Sequence, residues 1–247
     1  MVPTIVKQIS DEMGVLAMLD HPNIVSYYSI EHGRFEDETV IQVYTLQMLE
    51  GLAYLHQAGI IHHDIKPENV LLNHNSVVKY IDFGATKVIA RQGQTIITAP
   101  DPSMDKSQPG IKTMIGTPMY MSPEVIRGEA PAQSKYAGAA DIWSLGCVIL
   151  EMATGRCPWA SLDNEWAIMY NIAQGNPPQL PAPEQLSEPG IDFLRKCFER
   201  DPAKRATAPE LLQHPWILEI RRMVIDDPEV QTPRSESATS TGSTPIL

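Results

Sequence analysis

Residues 60–84 constrain this chain more than any other stretch. Ile60-Ile61 and Val70-Leu71-Leu72 are short apolar runs, separated by His62-His63-Asp64-Ile65-Lys66-Pro67-Glu68-Asn69. After one turn, Val78-Lys79-Tyr80-Ile81 leads into Asp82-Phe83-Gly84. Short apolar runs bounded by polar turn residues read as strands. The chain must therefore hold an acid, a base and an amide on one loop between strands, with a second acid on a neighbouring turn. Asp64 can accept a proton from an attacking hydroxyl, and Lys66 can offer positive charge to a phosphoryl group in flight. Asn69 and Asp82 can hold magnesium between them, which completes the layout that phosphoryl transfer needs. An acidic loop between strands is usually only a solvated turn, so the reading rests on both segments together and on the downstream part of the chain.

The two segments resemble the catalytic loop H-R-D-x-x-x-x-N and the metal-binding turn D-F-G of the protein kinases. The resemblance implies an α+β, protein-kinase-like fold whose large lobe is mostly helical, with ATP and Mg2+ as cofactors. It makes Asp64, Lys66 and Asn69 catalytic, places Lys66, Asn69 and Asp82 at the nucleotide, and gives the metal to Asn69 and Asp82. His63 departs from the pattern, standing where most kinases carry Arg. That Arg normally pairs with a phosphorylated activation loop; a histidine lacks its planar five-donor fork, so any such pairing is expected to be weaker and sensitive to pH.

Upstream, Ile9, Met13, Leu16 and Leu19 recur at helical spacing and end at Asp20-His21-Pro22, which predicts an amphipathic helix over 6–19. By the resemblance, Glu12 takes the place of the carboxylate that pairs with a strand lysine at the nucleotide, and Leu16 and Tyr27 stack with Phe83 and His62. The partner lysine is not found, because Lys7 is the only lysine before Lys66 and lies in the same helix. Gly14 is the only glycine before Gly33, so no glycine-rich loop precedes Glu12. Between Pro22 and Thr39 there is room for one strand, Ile24 to Ile30, and a polar turn. The expectation is a severely reduced small lobe in residues 1–31, truncated at its start and with an internal gap, then a large lobe in 32–220 and a disordered tail in 221–247.

Within the large lobe, Ile41, Tyr44, Met48, Leu52 and Leu55 share one face of a helix over 39–56, with Gly59 as its stop. The polar stretch from Gly84 to Ile115 exceeds the usual loop length and predicts a mobile functional loop. Thr113 to Glu124 resembles the segment that receives a protein substrate. By that resemblance Thr117 hydrogen-bonds Asp64 and Lys66, Glu124 pairs with Arg205, and Thr113 is the candidate for activating phosphorylation. Residues 141–152 are apolar nearly all round, which predicts a buried central helix. Burying Asp141 at its start is costly without several donors, and the family supplies them as backbone N–H groups of the catalytic loop. Trp159, Trp166 and Tyr170 are expected to pack in the large lobe. Ser187 can cap a helix running to Phe198, Thr207 and Glu210 read as a capping box, and His214-Pro215-Trp216 ends the folded part. His214 reads as a surface or core residue outside any metal site. From Asp226 the composition turns to Pro, Ser, Thr and acid, with few large apolar residues.

A net charge of −11 argues against a nucleic-acid or anionic-membrane partner. No apolar run approaches the roughly 20 residues of a membrane span, and the start lacks the order of a signal peptide. Cys147, Cys157 and Cys197 show no CxxC spacing, which fits reduced thiols. A cytoplasmic location is expected. Met18 to Val25, Glu50 to His56 and Leu162 to Tyr170 resemble fungal MAP kinase kinase kinases of the osmotic and general stress pathway. The resemblance implies transfer of the ATP γ-phosphate to Ser/Thr of a MAP kinase kinase, with no upstream activator identified. Two other readings stand beside it: a catalytically impaired fragment that binds a partner through its large lobe, and a small-molecule phosphotransferase, weakened by the segment ending at Glu124.

Overall fold

The protein is represented by a computed structural model, which describes residues 35, 37–72, 77–88, 118–129 and 138–226. Two long helices carry the core. Helix α1 (Glu38–Gln57) starts where Asp37 accepts the Thr39 N–H at 2.8 Å, satisfying one of the donors that a helix start leaves free. Its inner face is Ile41, Met48, Leu49, Leu52 and Leu55, all buried, and Gly59 follows with φ 77°. Tyr44 stays half-buried, edge-on to Phe35 at 5.5 Å. Helix α3 (Ala139–Thr154) is buried on nearly every side and closes at Gly155, φ 66°, whose N–H returns to the Glu151 carbonyl. Both ends and the all-round burial agree with the sequence pattern.

Among the described residues, four short strands lie between these helices in sequence. They are β1 (Ile60–Ile61), β2 (Val70–Leu72), β3 (Val78–Tyr80) and β4 (Lys87–Val88). β2 and β3 form an antiparallel ribbon with Val70 opposite Tyr80 and Leu72 opposite Val78. The Tyr80 hydroxyl donates to the Met48 carbonyl at 2.9 Å, fastening the ribbon to α1. β1 pairs antiparallel with β4, Ile60 opposite Val88. Of the loop expected from Gly84 to Ile115, residues 87 and 88 form this strand, and residues 89–115 lie outside the described residues. This pairing brings the Asp82-Phe83-Gly84 turn back beside the chain that enters residues 62–69.

The remaining α-helices among the described residues are α2 (Pro123–Ile126), α4 (Glu165–Ala173), α5 (Glu188–Cys197), α6 (Ala208–Leu211) and α7 (Pro215–Asp226). Ser187 caps α5 by accepting the Gly190 N–H, and Thr207 with Glu210 forms a reciprocal capping box on α6. Glu38 accepts from the Ser187 N–H (2.9 Å), the Ser187 hydroxyl (2.6 Å) and Trp216 Nε1 (2.6 Å), tying the first turn of α1 to α5 and α7. His214 is buried against Phe193, and its Nε2 donates to Asp192 at 2.9 Å. The described residues thus form a mostly helical body with short two-stranded ribbons.

Trp166 and Tyr170 depart from expectation. They are 74% and 67% exposed, while Trp159 is half-buried. The inward side of α4 is Ile168 and Ile172. At about 100° per residue, positions two before and two after Ile168 lie on the opposite side of the helix. The fold does not end at Trp216: α7 continues to Asp226, so residues 221–226 are helix and not the start of a disordered tail. The helix 6–19, the strand 24–30 and residues 227–247 fall outside the described residues. Among the described residues no helix is long and apolar enough to cross a membrane.

Candidate active site

Asp64 sits on the loop between β1 and the 3-10 turn Pro67–Asn69. Its Oδ2 accepts from Lys66 Nζ at 2.9 Å and from Asn69 Nδ2 at 2.9 Å. Asn69 Nδ2 also reaches the Asp64 carbonyl at 2.8 Å, which folds the loop on itself. Among the described residues, Asp64 Oδ1 keeps no protein partner. An acid held through one oxygen with the other left free is oriented to accept a proton from an incoming hydroxyl. Lys66 is anchored beside it, with 18% of its side chain accessible.

The same donors decide which end of the Asn69 amide is available. Its nitrogen is turned onto Asp64, which leaves the amide oxygen without a partner among the described residues. Asp82 is exposed; its carboxylate accepts only the Gly84 N–H at 3.2 Å among the described residues. Free hard oxygens from an amide and a carboxylate suit magnesium, which takes one or two protein oxygens and completes its shell with water and phosphate. No group of three or more His, Cys, Asp or Glu that could hold a metal occurs among the described residues. His63 and Asp82 both have left-handed backbones, φ 66° and 58°. Residues with side chains adopt this conformation at a cost of about 1–3 kcal/mol, so the surrounding contacts must hold them there.

For His63 such a contact comes from Asp141, fully buried at the start of α3. Its Oδ2 accepts the His62 N–H (3.0 Å) and His56 Nε2 (2.8 Å), and its Oδ1 accepts the His63 N–H (2.9 Å). Burial pushes the Asp141 carboxyl up, but the His56 hydrogen bond and the charges of His56, His63 and His62 outweigh it, leaving a pKa of about 2. The loop-to-helix bonds were legible in the sequence. His56 was not, although it reaches the same Asp141 carboxylate from the end of α1.

The His62 ring works in the other direction. Its Nε2 donates to the Ile81 carbonyl at 3.0 Å, and its Nδ1 accepts the Asp64 N–H at 3.4 Å. The ring packs on Phe83 at 4.9 Å between centroids. Burial lowers the His62 pKa, against the opposing effects of Asp141 and the Ile81 carbonyl, a direction that favours the neutral ring these two bonds require. One histidine thus joins the Asp64 loop to the Asp82 turn. This is the described half of the stack expected from Leu16, Tyr27, His62 and Phe83; Leu16 and Tyr27 lie outside the described residues, as do Glu12, Thr113 and Thr117.

The stretch that leads into α2 is fastened to α3. The Tyr120 hydroxyl donates to Glu151 at 2.6 Å and the Ser144 hydroxyl to the Tyr120 carbonyl at 2.7 Å. Arg205 meets Glu124 in a fork, Nη1 to Oε1 at 2.7 Å and Nη2 to Oε2 at 3.0 Å, both side chains buried. Burial pushes Glu124 up, but the Arg205 hydrogen bonds and charge bring its pKa below the ordinary value.

Acid stability follows from the carboxylate shifts. Asp141 has a folded pKa below its ordinary 3.8, so its contribution is fully present above pH 4 and is lost as pH falls toward 2. The loss amounts to roughly 2 kcal/mol for a shift of this size. Denaturation midpoints measured from pH 5 to pH 2 are expected to fall across that window, and less so in Asp141→Asn. An equal acid slope in both proteins would contradict the assignment.

The protein kinase domain family matches residues 29–217. The chain is similar to MAP kinase kinase kinase SSK2 of Saccharomyces cerevisiae, 46% identical over 92% of this chain and 17% of that protein. Serine/threonine-protein kinase SSK22 of the same yeast is 48% identical over 90% of this chain and 18% of its own length. MAP kinase kinase kinase wis4 of Schizosaccharomyces pombe is 45% identical over 89% of this chain and 17% of its own length. The chain therefore spans less than a fifth of these relatives. With a family match across the helical body and with Asp64, Lys66, Asn69 and Asp82 disposed as found, the chain belongs to the protein kinase domain family.

Proposed function

We propose that this chain is the catalytic portion of a serine/threonine kinase of MAP kinase kinase kinase type, acting on Ser/Thr of a MAP kinase kinase in a stress-signalling cascade. The observation that carries the reading is the Asp64 carboxylate, one oxygen held by Lys66 and Asn69 and the other free. Asp64 orients the substrate hydroxyl and accepts its proton. Lys66 faces the transferring phosphoryl group with positive charge, and the loop fixed through Asp141 keeps both in place at no reorganisation cost during transfer. Asn69 and Asp82 would hold Mg2+ through their free oxygens, and the ion would supply neutralisation of the phosphate charge of ATP. The names of SSK2 and wis4 support the kinase tier. Thr117 as the link from the substrate segment to Asp64, Glu12 at the nucleotide and Thr113 as the activating phosphosite complete the proposal. A severely reduced small lobe over residues 1–31, a large lobe from residue 32 through the end of α7 at Asp226, and a disordered tail over 227–247 belong to it as well. So does a cytoplasmic location, which suits three free thiols, two of them buried.

A partner-binding module is the second reading, favoured by the two exposed aromatic residues on α4. Calorimetry with Mg-ATP, together with phosphate transfer to a kinase-dead MAP kinase kinase, separates the two. The kinase reading expects binding and transfer that are both lost in Asp82→Asn. A folded chain showing neither would leave partner binding.

A further inference from the structure

Gly138 caps α3 with φ −66° and ψ −12°, a right-handed conformation open to any residue. Nothing in the backbone asks for glycine there. The demand comes from a side chain on another helix: a Cβ at position 138 would lie 2.6 Å from His56 Nδ1, 2.8 Å from Cε1 and 2.9 Å from Cγ. The far nitrogen of the same ring is the one that reaches Asp141 at 2.8 Å. Since the Asp141 carboxylate only accepts, Nε2 carries the hydrogen.

We propose that the missing side chain at Gly138 is a positioning device for the catalytic loop. It opens the slot in which the His56 ring lies against α3, so that Asp141 receives a third, side-chain donor besides the His62 and His63 amides. With alanine at 138 the ring has to swing out, and Asp141 Oδ2 is left with the His62 amide alone. The loop that carries Asp64 then loses part of what holds His63 in its left-handed conformation. His56 and Gly138 touch no reacting atom; both act through Asp141. The inference rests on the kinase reading only for its effect on transfer, and not for the arrangement itself.

The test is a double-mutant cycle on the full chain with Gly138→Ala, His56→Ala and both together, read by hydrogen exchange at the His62 and His63 amides. Each single change is expected to speed exchange at those two amides by about tenfold, the scale of one lost hydrogen bond to a charged group. The double variant should exchange no faster than His56→Ala, because the ring with which alanine collides is already gone. The melting temperature should fall for Gly138→Ala alone. In the His56→Ala background the same change should leave it level or raise it, since alanine restricts the unfolded chain and fits the backbone. Additive effects, or unchanged exchange in Gly138→Ala, would overturn the proposal. So would a Gly138→Ala chain that fails to fold with and without His56, whereas recovery in the His56→Ala background supports it. If the unaltered chain transfers phosphate, kcat should drop in both single variants with the ATP KM preserved. If it does not, the exchange pattern still decides the arrangement while the kinase reading falls separately.

Discussion

Arg205→Ala is expected to destabilise the chain by about 3–5 kcal/mol, the usual result of removing one partner from a buried ion pair. Arg205 is fully buried and satisfies more than Glu124. Its Nη1 also donates to the Ala139 carbonyl at 2.7 Å, its Nε donates to the Glu199 carbonyl at 2.8 Å, and its guanidinium lies 5.2 Å from the centre of the Trp143 ring. Alanine would strand a carboxylate and two carbonyls inside the protein and loosen the start of α3, from which Asp141 projects. Denaturant titration of the two proteins measures the difference directly. A loss below about 1 kcal/mol would mean that the pair is solvated and that α2 is held by its other contacts. Replacing both partners together, Arg205→Met with Glu124→Leu, should recover much of the loss, because an apolar pair removes the stranded charge.

Asp64→Asn is expected to lower phosphate transfer by about 10²–10⁴-fold, the range attributed to a positioned general base. The side chain keeps its shape and its amide oxygen can still accept from Asn69 and Lys66, so the melting temperature should fall far less than the transfer rate. Single-turnover kinetics beside a thermal melt separates chemistry from folding. Loss of both in step would show that Asp64 acts chiefly by holding the loop together, and retained transfer would remove it from the reaction. Lys66→Met offers a contrast: it releases Asp64 Oδ2 from its ion pair while taking away the positive charge, so transfer should fall although the Asp64 carboxylate is kept.

Where a sequence pattern reports on one element at a time, it reads this chain well. The spacing of Ile41, Met48, Leu52 and Leu55 locates α1, the unbroken apolar run after Asp141 marks α3 as central, and Thr207 with Glu210 announces a cap that the structure contains. The Asp64 loop and the Glu124–Arg205 pair are legible because a motif fixes side-chain type as well as position. Trp166 and Tyr170 defeat the pattern because hydrophobicity is not burial; in a nine-residue helix with only Ile168 and Ile172 turned inward, the aromatic residues have no interior to enter. His56 and Gly138 escape it for a different reason. They meet across 82 positions of sequence, and steric exclusion between a ring and an absent methyl leaves no periodicity to read.

Glu38 gives the described fold a temporal order. Its carboxylate, in the first turn of the first described helix, is completed by residues 149 and 178 positions later. A chain emerging from the ribosome in sequence order holds α1 long before Ser187 and Trp216 exist to engage it. Closure of the described helical body therefore waits for its last described helix to be translated, and until then the apolar face of α1 lacks part of its packing.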